Sequence, residues 1–254
     1  MQINESTVIV TGGAGGIGQA IVLALLQQGA KVLACDVDEE GLDNLVLQCA
    51  DYRKSLLTMF CDITQEDDVK KSVDLAYKTF GTCNVLINNA GILRDGKLVQ
   101  LEQSGGCISL PLAQWNSVID TNLTGPMLMA REILQHWLPS EKQPNLIINI
   151  SSMSAKGNGG QSAYSASKAG LNALTSCWAR EFADYGIRVV GISPGLFDTP
   201  MALSLEDEAK DRIIALTLAK RAGRPQELAK LVETIIQCEF ISGKTIEIDG
   251  GASF

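Results

Sequence analysis

The segment Thr11-Gly12-Gly13-Ala14-Gly15-Gly16-Ile17-Gly18 joins an apolar run, Thr7-Val8-Ile9-Val10, to a stretch, Gly16 to Gln28, in which Ile17, Ala20, Ile21, Ala24 and Leu25 recur at helical spacing. Glycines at such a junction let the main chain turn tightly, and they bring the bare N–H groups of a helix start against anionic oxygens. Gly13, Gly15 and Gly18 satisfy G-x-G-x-x-G, and Gly12, Gly16 and Gly18 satisfy G-x-x-x-G-x-G. Either pattern alone also fits a turn that merely connects strand to helix. Strand, glycines and helix in this order favour a pyrophosphate cradle.

The rest of the chain keeps the same alternation. Lys31 to Asp36, Leu56 to Cys61, Asn84 to Asn88, Leu146 to Ile150, Arg188 to Ile192 and Thr245 to Ile248 read as strands, and Glu39 to Ala50 and Glu66 to Phe80 read as helices. Strands that alternate with helices imply a parallel sheet covered on both faces. The expected fold is α/β: a single Rossmann-type doubly wound parallel sheet of about seven strands, within one dinucleotide-binding and catalytic domain over residues 1–254. Leu93 to Trp115 resists the pattern. Lys97 to Leu101 and Cys107 to Leu110 can pair across Ser104-Gly105-Gly106 as an inserted hairpin.

Composition narrows the function. The 254 residues are 46% hydrophobic, which argues against disorder, and the formal net charge of -8 argues against nucleic acid and anionic membrane surfaces as partners. No apolar run reaches the ~20 residues that span a bilayer, and Met1 to Thr11 lacks the marks of a secretory signal. Seven scattered cysteines without a CxxC read as free thiols of a reducing cytoplasm; a redox or metal role is the rival reading. The only histidine, His136, excludes histidine triads and multi-histidine zinc sites and suits a surface or capping place. Glu206, Asp207, Glu208 and Asp211 read as a solvated acidic helix face, so no metal site is expected.

Two further features carry chemistry. Asp36 ends the second strand, where its carboxylate can accept from an adenosine ribose diol and repel a 2′-phosphate; no Lys or Arg lies in the glycine loop or directly after Asp36, and Asp38 suits the cap of the next helix. Tyr164 and Lys168 stand four apart, on one face of a helix. A tyrosine near pKa ~10 is a poor acid/base at neutral pH, and a nearby ammonium favours its phenolate. Ser151 and Ser152, at a strand end upstream, offer hydroxyls to a carbonyl oxygen, and Gly157-Asn158-Gly159-Gly160 leaves room for a ligand.

Taken together, the chain resembles the short-chain dehydrogenase/reductase family over essentially its whole length, in the branch of the 3-oxoacyl reductases but with an NAD-type Asp. The resemblance rests on Thr11-Gly12-x-x-x-Gly16-x-Gly18, Asp62, Asn88-Asn89-Ala90-Gly91, Asn122, Ser151-Ser152, Tyr164-x-x-x-Lys168, Pro194-Gly195 with Thr199, and Asp249-Gly250-Gly251. It implies a fixed set of roles. Gly12, Gly16, Ile17 and Gly18 hold the pyrophosphate of NAD, and Asp36 holds the ribose. Asp62 and the Ile63 backbone meet adenine, and Asn89, Ala90 and Gly91 line the adenosine ribose. Lys168 binds the nicotinamide ribose, and Pro194, Gly195 and Thr199 secure the carboxamide. Tyr164 is the acid/base, and Asn122 holds a water that relays protons from Lys168 to solvent. The family serine lies thirteen residues before the tyrosine, which is Ser151. Read forward from Ile148-Asn149-Ile150, the position falls on Ser152, with the next loop one residue short, and Ser152 is preferred because loops absorb deletions more readily than strand ends.

The function implied is NAD(H)-dependent interconversion of a secondary alcohol and a ketone, with a mainly apolar substrate, by a cytoplasmic homotetramer. The alternatives are a 3-oxoacyl-thioester reductase, although the carrier-protein enzymes of that branch usually use NADPH, and a nucleotide-sensing or structural protein without turnover. Leu196, Phe197, Met201, Leu203 and Leu205 form a candidate apolar lid. The Leu93–Trp115 segment has three open readings: a border of the substrate pocket, an oligomer contact, or decoration.

Overall fold

The computed structural model describes residues 1–103, 105–140, 143–203 and 207–252. Seven strands form one parallel sheet: β1 (Thr7–Thr11), β2 (Lys31–Asp36), β3 (Leu56–Phe60), β4 (Val85–Asn88), β7 (Asn145–Ile150), β8 (Ile187–Pro194) and β9 (Thr245–Ile248), in the spatial order β3-β2-β1-β4-β7-β8-β9. The remaining two, β5 (Val99–Leu101) and β6 (Cys107–Ser109), pair antiparallel as an exposed ribbon, with Val99 opposite Ser109; Ser104, at its expected turn, lies outside the described residues.

The helices are α1 (Gly16–Gln27), α2 (Glu39–Gln48), α3 (Glu66–Phe80), α4 (Leu112–Ile119), α5 (Gly125–Trp137), α6 (Ser162–Glu181), α7 (Pro200–Leu203), α8 (Asp207–Leu216) and α9 (Pro225–Gln237). Strand period two sorts the core into two layers. Along β1, Val8 and Val10 face α1 and α9, where Ile21, Leu25, Val232 and Ile236 pack; Ile9 faces the other way, toward Val73 of α3, Met129 and Ile133 of α5 and Trp178 of α6. Every β1 side chain is therefore buried, as a sheet covered on both faces requires.

The strand order reverses between β1 and β4, and a crevice opens at the carboxyl ends of strands on either side of such a switch. Two hydrogen-bonding side chains lash that point together. Thr11 Oγ1 accepts from the Asn89 and Ala90 N–H groups, both at 3.1 Å, and Asn89 Nδ2 donates to the carbonyls of Thr11 (3.0 Å) and Gly12 (2.9 Å).

Candidate functional site

A cavity of about 730 Å³ opens at this crevice. Its first end is made by the glycine loop. The residue before α1 is Gly15, which brings no side chain to cap the helix, so the first-turn N–H groups face outward without a capping partner. A Cβ on Gly18 would stand 1.9 Å from the Gly12 carbonyl oxygen, and Gly12, at φ +66°, would press one 2.8 Å from Ala90 Cα. Asp36 borders the loop: its carboxylate accepts from Ala14 N–H at 2.9 Å, Val37 N–H at 2.8 Å and Asp38 N–H at 3.1 Å. Asp38 caps α2 through Gly41 N–H at 3.0 Å, as its sequence position suggested. The Asp62 carboxylate is fixed by the Thr64 N–H (2.9 Å) and hydroxyl (2.8 Å). Gly12, Gly16, Ile17, Gly18, Asp36, Asp62, Ile63, Asn89, Ala90 and Gly91 all line the cavity.

The second end comes from β7, α6 and the turn after β8. Tyr164 and Lys168 sit one turn apart on α6 and both line the cavity with Ser151 and Ser152. The two serines differ in their bonds. Ser151 Oγ donates to the Lys168 carbonyl at 3.1 Å, tying β7 to α6. Ser152 stands beside the Tyr164 phenol, where its hydroxyl favours the phenolate, and accepts from Ser154 N–H at 3.1 Å. Lys168 is buried, donates from Nζ to the Ile150 carbonyl at 2.8 Å, and lies 5.8 Å from the Tyr164 ring centre.

Burial controls both ionisations. It pushes the Lys168 ammonium down to about 8. It also pushes the Tyr164 phenol above its ordinary value; the Ser152 hydroxyl opposes that rise and the Asp95 carboxylate adds to it. The sequence led us to expect an ammonium-lowered phenol. The opposite direction holds because removing water from the phenolate outweighs the Ser152 hydroxyl, and the Asp95 charge acts in the same direction as burial.

Asn122 is fully buried and does not line the cavity. Its amide pins the chain beyond β4: Oδ1 accepts from Ile92 N–H (2.8 Å), and Nδ2 donates to the Ile92 carbonyl (2.9 Å) and to Ser167 Oγ (3.3 Å). It lies in a π-helical turn, Asp120–Thr124, between α4 and α5. Pro126 in the first turn of α5 has no N–H, so the Asn122 carbonyl lacks the donor that an α-helix would give it four residues on. A Cβ on Gly91 would stand 3.2 Å from Asn122 Oδ1 and 3.4 Å from Lys168 Nζ, so glycine there lets both groups come close.

Pro194, Gly195 and Thr199 line the same wall, and Thr199 Cβ would stand 3.2 Å from a Cβ on Gly16, linking the two ends. Leu196 and Phe197 follow, anchored by backbone bonds from Gly223 N–H to Leu196 (2.9 Å) and from Asp198 N–H to Gly223 (2.8 Å). Leu205 and Glu206 lie outside the described residues, as do the side chains of Met201, Leu203 and Asp207; Glu208 and Asp211 of α8 are exposed. His136 stacks on Tyr77 with ring centres 4.5 Å apart.

Several cavity residues escaped the sequence reading. Cys61 and Gln161 line it; Asn158 comes from the loop expected to leave room for a ligand, and Leu93 brings in the base of the inserted ribbon, as the pocket-border reading of that segment has it. Gly96 N–H donates to the Gly160 carbonyl at 2.8 Å, and the Gln161 side chain counters the rise that burial gives the Asp95 carboxyl. The base of the insertion thus borders the pocket while β5 and β6 stay exposed. No local pattern marks this, because it depends on two loops some 65 residues apart meeting; Gln161, three residues before Tyr164, was the nearest available signal.

The family model for short chain dehydrogenases matches residues 6–210. The chain is 34% identical over 255 aligned residues to 3-oxoacyl-[acyl-carrier-protein] reductase FabG of Thermotoga maritima, with 99% of each chain covered. It is 36% identical to the bovine (Bos taurus) 3-hydroxyacyl-CoA dehydrogenase type-2, over 95% of this chain and 93% of that one. It is also 34% identical to cis-4-hydroxycyclohexanecarboxylate dehydrogenase of Sinomonas cyclohexanicum, over 97% and 96%. Fold, crevice and relatives agree: the chain belongs to the short-chain dehydrogenase family, whose members are oxidoreductases working with a nicotinamide cofactor.

Proposed function

We propose that this protein is an NAD(H)-dependent oxidoreductase interconverting a 3-oxoacyl thioester and its 3-hydroxy form, with Tyr164 as the general acid and base. The observation that carries the reading is the Ser152–Tyr164 hydroxyl pair, opening on the same cavity as Lys168 and the glycine loop. The names of two relatives, which specify 3-oxoacyl or 3-hydroxyacyl groups on a carrier, support that substrate class here. They favour the acyl reading over the simpler alcohol or ketone that the sequence put first. The third, whose name specifies a cyclic alcohol, shares the carbinol chemistry.

The residues fit a dinucleotide. The uncapped start of α1 suits a pyrophosphate, and the Asp36 and Asp62 carboxylates suit the hydroxyl and amino donors of adenosine. Asp36 also supports NAD over NADP, and among the described residues lining the cavity Lys168 is the sole cation, at the far end from where a 2′-phosphate would lie. Bound there, the nicotinamide supplies or takes up a hydride at the carbinol carbon. Tyr164 gives its phenolic proton to the carbonyl oxygen in reduction and recovers it in oxidation. Ser152 holds that oxygen beside the phenol. Lys168, largely charged below pH 8, would bind the nicotinamide ribose and favour the phenolate. The Asn122 carbonyl would hold the relay water, and Pro194, Gly195 and Thr199 the carboxamide. Leu93, Met153, Leu196, Phe197, Ala202 and Ile213 give the remaining wall an apolar lining for an acyl chain.

The reading includes a cytoplasmic homotetramer with α5 and α6 between subunits, on the resemblance to the family. Among the described residues no helix is long and apolar enough to cross a membrane. The test is a panel of 3-oxoacyl-CoA esters, simple and cyclic ketones and diketones, each with NADH and NADPH. The reading expects kcat/KM for a 3-oxoacyl-CoA to exceed that for carrier-free ketones by at least about tenfold, or ~1.4 kcal/mol. Turnover of carrier-free ketones alone would return the protein to the carbonyl reductases. NADH binding without any turnover would make it a sensing or structural protein.

A further inference from the structure

Cys35 lies on β2, and Cys61 follows the last residue of β3, the neighbouring strand. In the parallel register Cys35 stands opposite Met59, and Cys61 is two residues further on, so the two cysteine side chains leave the sheet on the same face. Cys61 N–H donates to the Asp36 carbonyl at 2.9 Å and holds the strand ends together. The two thiols share one buried cluster, where each perturbs the ionisation of the other and the Ser72 hydroxyl of α3 that of both. Both are buried, at 0% and 2% exposure, yet Cys61 also forms part of the cavity wall beside Asp62. Cys49 and Cys83 are buried, and Cys107, Cys177 and Cys238 are exposed.

We propose that Cys61 and Cys35 are a modification site: a peroxide entering through the adenosine end of the cavity converts them to a disulfide, and a dinucleotide in that pocket shuts the route. The second half rests on the dinucleotide reading of the cavity. The chemistry balances. The Cys61 sulfur attacks a peroxide oxygen, the O–O bond breaks, and water leaves a sulfenic acid behind. The Cys35 sulfur then attacks the Cys61 sulfur, the S–S bond forms and a second water departs. Two S–H bonds are lost, two electrons reduce the peroxide, and both protons end in water. Access sets this order: Cys61 forms part of the cavity wall, whereas Cys35 is fully buried behind it; the pair interaction also lowers the Cys61 thiol and raises the Cys35 thiol. Drawing these diagonal neighbours to covalent distance shifts the adjacent residues Asp36 and Asp62, the two carboxylates at the adenosine end.

The test uses the whole protein, reduced and then freed of reductant. NADH titration of this form comes first and judges the pocket reading by itself. Hydrogen peroxide is then added with and without saturating NADH, remaining thiols are alkylated, and peptides are mapped without reduction. The expected result is a linked peptide joining Cys35 and Cys61, formed at least about tenfold more slowly with NADH bound, and an NADH affinity that falls by about tenfold and returns with dithiothreitol. In Cys35→Ala the link is missing and a dimedone-trapped sulfenic acid appears at Cys61. Recovery of both wild-type cysteines as free thiols, or a link that forms equally fast with NADH bound, would overturn the proposal.

Discussion

At the β1–β2–β3 end of the cavity, the recognition proposed above falls to main-chain N–H groups and to two carboxylates fixed by residues close in sequence or in the loop after the adjoining strand: Asp36 by Ala14, Val37 and Asp38, and Asp62 by Thr64. At the β7–α6 end the groups proposed to work are side chains brought together from separate elements: buried Ser152 after β7, half-buried Tyr164 and buried Lys168 on α6, and buried Asn122 in the π-helical turn. The first end is a shape. A Cβ at Gly18 would break it by collision, whatever the charge of the newcomer. The second end is a set of ionisations that burial moves in both directions, Tyr164 up and Lys168 down. One end can therefore be damaged without the other, and mutations should sort by which end they touch.

The largest separation is expected for Tyr164→Phe. Removing the phenolic proton should lower kcat by about 10³-fold, within the 10²–10⁴ range of general acid–base catalysis, and leave the NADH Kd within about twofold; rapid kinetics with fluorescence titration reads both. Ser152→Ala should lower kcat by about 10²-fold, because Ser152 is the serine whose hydroxyl acts on the phenol, whereas Ser151→Ala should lower stability by about 1 kcal/mol through the lost bond to the Lys168 carbonyl and leave kcat within about threefold. A severe Ser151→Ala would exchange their roles. Asp36→Ala acts at the other end: the NADH/NADPH preference should narrow by about tenfold with kcat nearly unchanged, and an unaltered ratio would remove Asp36 as the discriminator.

The smallest effect is a pH dependence of folding. Lys168 is held at about 8 in the folded protein against an ordinary value of 10.5. Folding therefore favours its neutral form. The penalty for burying the charge is full below pH 8 and lifts as pH rises toward 10.5. From pH 8 to 9.5 the unfolding free energy of the wild type should rise relative to Lys168→Met by about 1–2 kcal/mol in denaturant titrations. A flat difference would mean that Lys168 binds its proton alike in the folded and unfolded chains and is not held near 8.

The same contrast explains what was legible in advance. Strand positions followed from apolar runs, and the glycine loop from its place between β1 and α1, because these depend on neighbours in sequence. β8 runs on to Pro194, two residues past its expected end, because a proline at the last strand position removes no essential ladder bond. The π-helical turn at Asn122 was not legible, since Asp120-Thr121-Asn122-Leu123-Thr124 has no breaker until Gly125-Pro126. The bonds that distinguish Ser151 from Ser152 depend on where α6 packs, and counting residues left them open. The rise in the Tyr164 phenol was hidden for the same reason: spacing gives the ammonium neighbour, and only packing gives the desolvation.

The account joins an NAD-type adenosine end to a thioester-reducing catalytic end, and the most direct test reads both at once: the initial rate of 3-oxobutanoyl-CoA reduction by wild-type protein at pH 7, with NADH and then with NADPH. It predicts turnover with NADH at a kcat/KM at least about tenfold above that with NADPH. No turnover with either cofactor, or an equal or greater rate with NADPH, would contradict it.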